Sequence, residues 1–88
     1  MFYVYILFSL KDKMFYIGYS NNLKARIKQH HDGLVKSTKP RRPLILLYYE
    51  SHKNKYDALR REGYLKTSKG KSTLKTMLRE SLKEYKIF

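Results

Sequence analysis

The chain contains no cysteine among its 88 residues. This excludes a disulfide framework and a thiolate metal site, and a reducing cytoplasm fits the composition. No apolar run approaches the ~20 residues that a membrane-spanning helix needs. The apolar segment 1–10 lacks a basic flank and a small-residue cleavage site, so it predicts a strand, not a signal peptide. The length predicts one domain, residues 1–88, with one core.

Acidic residues are scarce, because seven Asp and Glu stand against 20 Lys and Arg, and the formal net charge is +13. Self-repulsion on this scale favours a polyanionic partner. Aromatic residues are interleaved with the basic ones along the whole chain and do not gather in one amphipathic helix, which favours nucleic acid over a membrane surface. A basic balance that serves only solubility is the alternative.

The hydrophobic pattern predicts an α+β domain, with a three-stranded antiparallel sheet flanked by helices in the order β-β-α-β-α-α. Strands are predicted at residues 2–8, 14–19 and 44–49, and helices at about 23–31, 55–66 and 73–85. Asn54 and Ser72 are the expected caps of the last two helices. Residues 32–43 are expected to form an exposed basic loop, and residues 67–71 a short hinge. The predicted buried stripe of the last helix consists of Leu74, Met77, Leu78 and Leu82.

Glu62 does not fit a purely structural interpretation of the second helix. At 3.6 residues per turn it lies on the same face as Ala58, Leu59 and Leu65, which form the apolar stripe. Burial of an unpaired carboxylate is costly, so a cation, either a side chain or a metal ion, is expected to face it. A salt bridge to a core-facing arginine, or a side chain that reaches out at the edge of the stripe, is the alternative.

The first helix and the hairpin contain further candidates. Arg26 and His30 lie one turn apart on the inward side of the helix and are suited to bind phosphate, although a core histidine with satisfied hydrogen bonds is the alternative. Tyr5 and Tyr16 could be ordinary packing residues of strands. Gly18 weakens its strand unless another group approaches closely, and it precedes the turn into the first helix.

Together these residues resemble the GIY-YIG nuclease superfamily, and most closely its small stand-alone bacterial members related to the nuclease subunits of structure-specific endonucleases. The resemblance covers nearly the whole chain. Val4 stands where the first motif has glycine, and no asparagine follows Asn54, whereas several branches carry one after the glutamate. The resemblance is carried by Tyr3-Val4-Tyr5-Ile6-Leu7, Tyr16-Ile17-Gly18-Tyr19-Ser20, Arg26 with His30, Arg41-Arg42-Pro43, Tyr48-Tyr49-Glu50 and Arg60-Arg61-Glu62.

The resemblance implies a metal-dependent DNA endonuclease that hydrolyses phosphodiester bonds, selects DNA by structure and acts in repair or recombination. Tyr5 would activate the attacking water, with support from Tyr16, while Arg26 would contact phosphate and His30 would assist. Glu62 would hold one divalent ion, Mg²⁺ or Mn²⁺. We expect the surrounding cations to favour the ionised form of the tyrosine.

DNA is favoured over RNA as the partner, and a partner subunit is compatible with a nuclease this short, whereas the sequence does not indicate the oligomeric state. The alternatives are a non-catalytic nucleic-acid-binding module with a degenerate nuclease site and a small basic interaction protein without a site. The residues predicted to hold the nucleic-acid backbone lie in the basic loop and around the hinge: Lys36, Lys39, Arg41, Arg42, Lys66, Lys69 and Lys71.

Overall fold

A three-stranded antiparallel sheet with helices packed against it forms the molecule, as a computed structural model shows for residues 1–85. The last three residues of the predicted domain, 86–88, lie outside this described range. No helix within it is long and apolar enough to cross a membrane. The elements are β1 (Phe2–Ser9), β2 (Phe15–Ser20), α1 (Leu23–His31), a short 3₁₀ helix (Lys39–Arg41), β3 (Leu44–His52), α2 (Lys55–Leu65), α3 (Ser68–Met77) and α4 (Arg79–Tyr85).

The central strand of the sheet is β1, because the strand order is β2-β1-β3. Tyr5 is therefore flanked on both sides, by Gly18 of β2 and by Tyr49 of β3. An irregularity between Ile6 and Leu7 shifts the pairing with β3. The predicted α+β class and antiparallel sheet are confirmed, and β3 extends three residues beyond its predicted end at position 49.

The core lies between one face of the sheet and the last three helices. Side chains alternate between the faces of a strand, so Val4, Ile6 and Phe8 of β1 share this face, together with Ile17 of β2. Ala58 is fully buried, and its small side chain lets α2 approach the sheet closely. The opposite face of the sheet carries Tyr5 and faces α1. The helix residues of the core are Ala58, Leu65, Leu74, Leu78 and Leu82.

The predicted single helix over residues 73–85, capped by Ser72, is wrong. Thr67 is the cap, because its Oγ1 accepts a hydrogen bond from the Gly70 N–H at 3.0 Å, and α3 begins in the segment expected to be a hinge. Gly70 packs directly on the backbone of Tyr64, where a Cβ would collide. The chain leaves helical geometry for one residue before α4, and Met77 is 44% exposed instead of buried.

The basic loop between α1 and β3 is only partly exposed, contrary to the prediction. Two residues of the loop, Val35 and Thr38, are buried. Arg41 ties the loop to the β1–β2 hairpin, because its Nε donates to Asp12 Oδ2 at 2.6 Å and its Nη2 donates to the carbonyls of Met14 and Phe15. A guanidinium has enough donors to satisfy all these acceptors, and its contacts fold the loop back onto the sheet.

Candidate active site

Tyr5 lies at the centre of the candidate site, with only 1% of its surface exposed. Its ring covers Gly18, the residue opposite it on β2, and a Cβ at position 18 would overlap the Tyr5 ring and hydroxyl. The glycine is therefore required by the close approach of the tyrosine, as its place in a strand indicated.

Tyr16 lies diagonally across the strand pair from Tyr5, because the register pairs Leu7 with Tyr16. The two tyrosine rings are 6.4 Å apart between centroids, within the usual range for interacting aromatic pairs. The ring of Tyr16 also meets the ring of His30 edge-on at 5.1 Å.

The helix α1 brings Arg26 and His30 over this face of the sheet. Asn22 caps the helix, with its Oδ1 accepting from the Ala25 N–H at 3.2 Å. The Tyr5 hydroxyl and His30 Nε2 lie 2.8 Å apart in a buried hydrogen bond. The Arg26 guanidinium donates to Gln29 at 3.0 Å and contacts Tyr5, and this contact is the main cause that raises the pKa of Arg26.

Burial determines the protonation of the Tyr5 hydroxyl and of the His30 ring. It raises the pKa of Tyr5 to about 12, although the contact with Arg26 acts in the opposite direction. The expectation that surrounding cations would favour an ionised Tyr5 is therefore wrong, since desolvation outweighs them. Burial, with a smaller contribution from the charge of Arg26, lowers the pKa of His30 to about 4. Both groups are neutral at neutral pH.

Glu62 of α2 lies close enough to Tyr5 for its charge to contribute to the raised pKa of the tyrosine. Its side chain is 18% exposed and pairs with Lys66 at 3.2 Å. The facing cation in the structure is thus the lysine at the C-terminal cap of α2 and not a core arginine. Such a pair, whose lysine is largely in solvent, is worth no more than ~1 kcal/mol and can be exchanged for another cation.

A divalent ion fits the donors that Glu62 offers. Among residues 1–85 no group of three or more His, Cys, Asp or Glu side chains could enclose a metal ion. Mg²⁺ does not require such an enclosure, because it commonly keeps several waters and binds through one or two carboxylates together with substrate phosphates. Glu62 would hold the ion by its carboxylate oxygens.

The residues predicted to bind the nucleic-acid backbone are not gathered on one surface. Lys39 and Arg42 line a cleft of about 460 Å³ together with Lys11. Arg41 already uses its guanidinium in the contacts that hold the loop. Lys66 is beside Glu62 and so adjoins the candidate site. The others are exposed: Lys36 in the loop, and Lys69 and Lys71 on α3 in two different clefts.

A sequence model of the GIY-YIG catalytic domain matches residues 1–76. The chain belongs to the GIY-YIG family. The match includes every residue of the candidate site, from Tyr5 on β1 to Glu62 on α2.

Relatives of this GIY-YIG domain are small bacterial proteins of similar length. It is 42% identical to a UPF0213 protein of Clostridium perfringens over 85 residues, which cover 96% of this chain and 90% of the relative. It is 45% identical to a UPF0213 protein of Staphylococcus haemolyticus over 74 residues, covering 83% and 89% of the two chains. The solution structure of a UPF0213 protein from Bacillus halodurans superposes with a TM-score of 0.55 at 34% identity, over 88% of this chain and 85% of the other.

Two residues near the site of this GIY-YIG domain were not predicted from the sequence. Thr38 is fully buried and contacts His30, and Lys11 lines the basic cleft. A threonine in a loop has no periodic signal, and Lys11 lies in the hairpin turn, far in sequence from the other residues of the cleft. Pro40 and Pro43 predict a loop in this segment, but they do not indicate that part of the loop is buried.

The buried His30 makes the stability of the GIY-YIG domain depend on pH. Its pKa falls from 6.5 to about 4 on folding, so between these values the unfolded chain binds a proton that the folded chain excludes. The free energy of unfolding is therefore expected to decrease as the pH falls, by roughly 2–3 kcal/mol between pH 7 and 4.5. Urea unfolding at several pH values measures this dependence.

A His30→Gln variant should lose that part of the pH dependence, whatever its stability at neutral pH. His31→Gln is the matched control, because the His31 side chain is 83% exposed and its ring forms a hydrogen bond with the neighbouring Asp32. Both variants keep every carboxylate of the chain and differ in which histidine is removed, the buried or the exposed one. Equal pH dependence in the wild type and in His30→Gln would contradict the prediction.

Proposed function

We propose that this GIY-YIG chain is a metal-dependent DNA endonuclease domain that hydrolyses phosphodiester bonds. The observation that carries the proposal is the convergence of Tyr5, Tyr16, Arg26 and His30 on one face of the sheet, with Glu62 close to Tyr5. A base, a phosphate-binding cation and a metal-binding carboxylate are the parts that this hydrolysis requires, and here they come from three separate elements.

Tyr5 is the proposed base, and the hydrogen bond to His30 gives its proton a destination. With a pKa of about 12, the phenol is not ionised before the reaction. As water attacks phosphorus, the Tyr5 oxygen takes a proton from that water and its own proton passes to His30 Nε2, 2.8 Å away. His30 is neutral and can accept this proton, so the relay does not require a preformed phenolate.

Charge on the phosphate is balanced from two sides of the site. Arg26 contacts both tyrosines and would donate to the non-bridging oxygens, where negative charge builds up as the water attacks. A divalent ion held by Glu62 would supply Lewis-acid stabilisation of the phosphate and of the leaving oxygen. Lys66 would release Glu62 when the ion binds and could then pair with a backbone phosphate instead.

The basic surface is proposed to hold the DNA through its phosphates. The net charge of +13 and the cleft lined by Lys11, Lys39 and Arg42 support this. Contacts to phosphates give the protein no information about the base sequence. We therefore expect it to select DNA by shape, as in branched intermediates of repair or recombination.

Nicking of supercoiled plasmid and of branched DNA, with Mg²⁺ or Mn²⁺ and with EDTA, tests the function. The wild type is expected to nick only with the metal ion. Tyr5→Phe keeps the ring over Gly18 but removes the hydroxyl, so we expect it to reduce the nicking rate by at least about 100-fold, as for other general bases.

Tyr56→Phe is the matched control, because Tyr56 is 74% exposed at the start of α2 and its change should leave nicking unaffected. A wild type that binds DNA in a salt-dependent manner but never nicks it would favour the alternative of a binding module with a degenerate site. Equal nicking by the wild type and Tyr5→Phe would exclude Tyr5 as the base.

A further inference from the structure

Thr38 is a buried polar residue in the loop between α1 and β3. Its side chain is inaccessible to solvent, with a relative exposure of 0%, although it lies seven residues beyond the end of α1. The loop turns inward here because the Val35 carbonyl accepts from the N–H groups of both Thr38 and Lys39, at 3.1 and 2.9 Å. This turn places the Thr38 hydroxyl against the His30 ring.

The Thr38 hydroxyl is the end of a hydrogen-bonded chain that begins at Tyr5. Its Oγ1 lies 2.7 Å from His30 Nδ1, and the other nitrogen of the same ring, Nε2, lies 2.8 Å from the Tyr5 hydroxyl. The Oγ1 itself is oriented to donate to the Val35 carbonyl, at 3.5 Å. A hydroxyl has one proton, so a Thr38 that donates to Val35 can only accept from His30. In that arrangement the neutral ring carries its proton on Nδ1.

A second observation, from the opposite end of the chain, leads to the same assignment. The Arg26 guanidinium lies close enough to Tyr5 to act against the rise in its pKa, and a guanidinium can only donate, so the Tyr5 oxygen faces Arg26 as an acceptor. The Tyr5 proton must therefore be directed elsewhere, and His30 Nε2 is the acceptor within hydrogen-bond distance. This requires a lone pair on Nε2 and the proton on Nδ1.

We infer that Thr38 is a positioning residue that holds His30 as the Nδ1–H tautomer, so that Nε2 presents its lone pair to the Tyr5 hydroxyl. The catalytic consequence rests on the proposed nuclease function, because only then does Nε2 receive the Tyr5 proton. In the other tautomer, Nε2–H would donate to Tyr5, and the tyrosine proton would have no acceptor along this path. Thr38 touches neither substrate nor metal ion and acts only through the histidine.

The tautomer can be measured directly by ¹⁵N NMR of the histidine ring at neutral pH, where chemical shifts distinguish a protonated from an unprotonated nitrogen. The His30 signals are assigned by their loss in His30→Gln. In the wild type we expect a protonated Nδ1 and an unprotonated Nε2. Thr38→Val has nearly the same shape but cannot accept a hydrogen bond, so Nδ1–H would be left buried without a partner and the population should shift toward Nε2–H. Thr38→Ser keeps the hydroxyl and should restore the wild-type signals.

The nicking assay measures the catalytic consequence in the same proteins. Thr38→Val is expected to reduce the rate by about tenfold or more without changing DNA affinity, in line with other residues that orient a reacting histidine. Thr38→Ser should retain most of the rate. Thr76→Val is the matched control, since Thr76 is exposed on α3 and bonds only to a backbone carbonyl of its own helix.

The outcomes separate this inference from the proposed function. A wild type with its proton on Nε2 would overturn the inference even if Thr38→Val failed to fold. An unchanged tautomer and rate in Thr38→Val would overturn it as well. If the tautomer responds as expected but the wild type does not nick DNA, the role of Thr38 in positioning His30 is supported and the nuclease function fails alone.

Discussion

Replacing Glu62 with glutamine is expected to reduce Mg²⁺-dependent nicking by about a thousandfold, because the change removes the negative charge that would hold the ion but preserves the shape of the side chain. The fold should be retained, since the Lys66 partner lost with the charge is largely in solvent and worth no more than ~1 kcal/mol. Nicking rates over a range of Mg²⁺ concentrations, with circular dichroism to confirm folding, measure this effect.

A metal-binding readout shows whether the loss is specific. Paramagnetic Mn²⁺ should broaden the signals of residues around Glu62 in the wild type but not in Glu62→Gln. Glu80→Gln is the matched control, because Glu80, like Glu62, pairs with a lysine within the next four residues but is 74% exposed on α4. If Glu62→Gln nicked DNA as fast as Glu80→Gln, Glu62 would not be the metal ligand.

Gly18→Ala is expected to have the largest combined effect on stability and activity. A Cβ at this position would overlap the Tyr5 ring and hydroxyl, so the tyrosine or the strand must move. Forcing one methyl group into a packed interior costs about 1–3 kcal/mol. A displaced Tyr5 loses its alignment with His30, and a shift of about 1 Å in a reacting group can cost 100-fold in rate. Thermal unfolding and nicking rates measure the two effects.

Gly63→Ala is the matched control for that variant. No atom outside its own helix lies within 4 Å of the position that a Cβ would take, and the residue is exposed in the middle of α2. Alanine favours a helix over glycine by up to about 1 kcal/mol, so this variant should be slightly more stable and fully active. A Gly18→Ala protein with wild-type stability and activity would show that the Tyr5 ring is free to move away.

Strong local periodicity explains which parts of the fold could be predicted. The three strands and the helices α1 and α2 have clear period-2 or period-3.6 patterns, and the structure places them within a few residues of the predictions. The prediction of the last helix was wrong because two residues can serve as its N-terminal cap. Ser72 precedes the apolar stripe, but Thr67 starts the helix earlier, and the close packing of Gly70 on Tyr64 is a tertiary contact that the pattern does not contain.

The candidate site was predictable as a set of residues but not as a geometry. Alternation on the strands placed Tyr16 and Gly18 on one face, whereas only the register shows that Gly18 lies under Tyr5. The protonation of Tyr5 was predicted with the wrong sign, because desolvation depends on the depth of burial and the sequence shows only the nearby charges. Thr38 was missed because its contact with His30 depends on how the loop folds back.

The fully buried Ala58 has a consequence for how this site can vary. The groups proposed to handle protons all come from the first 38 residues, whereas the carboxylate proposed to bind the metal ion comes from α2, one helical turn beyond Ala58. The distance between these groups and the carboxylate is therefore determined by how closely α2 packs against the sheet. A larger residue at position 58 would lift the helix and widen the gap that a phosphate must bridge. The methyl side chain of Ala58 would therefore set the width of the reaction centre without contacting the substrate, and position 58 is expected to tolerate few other residues in evolution.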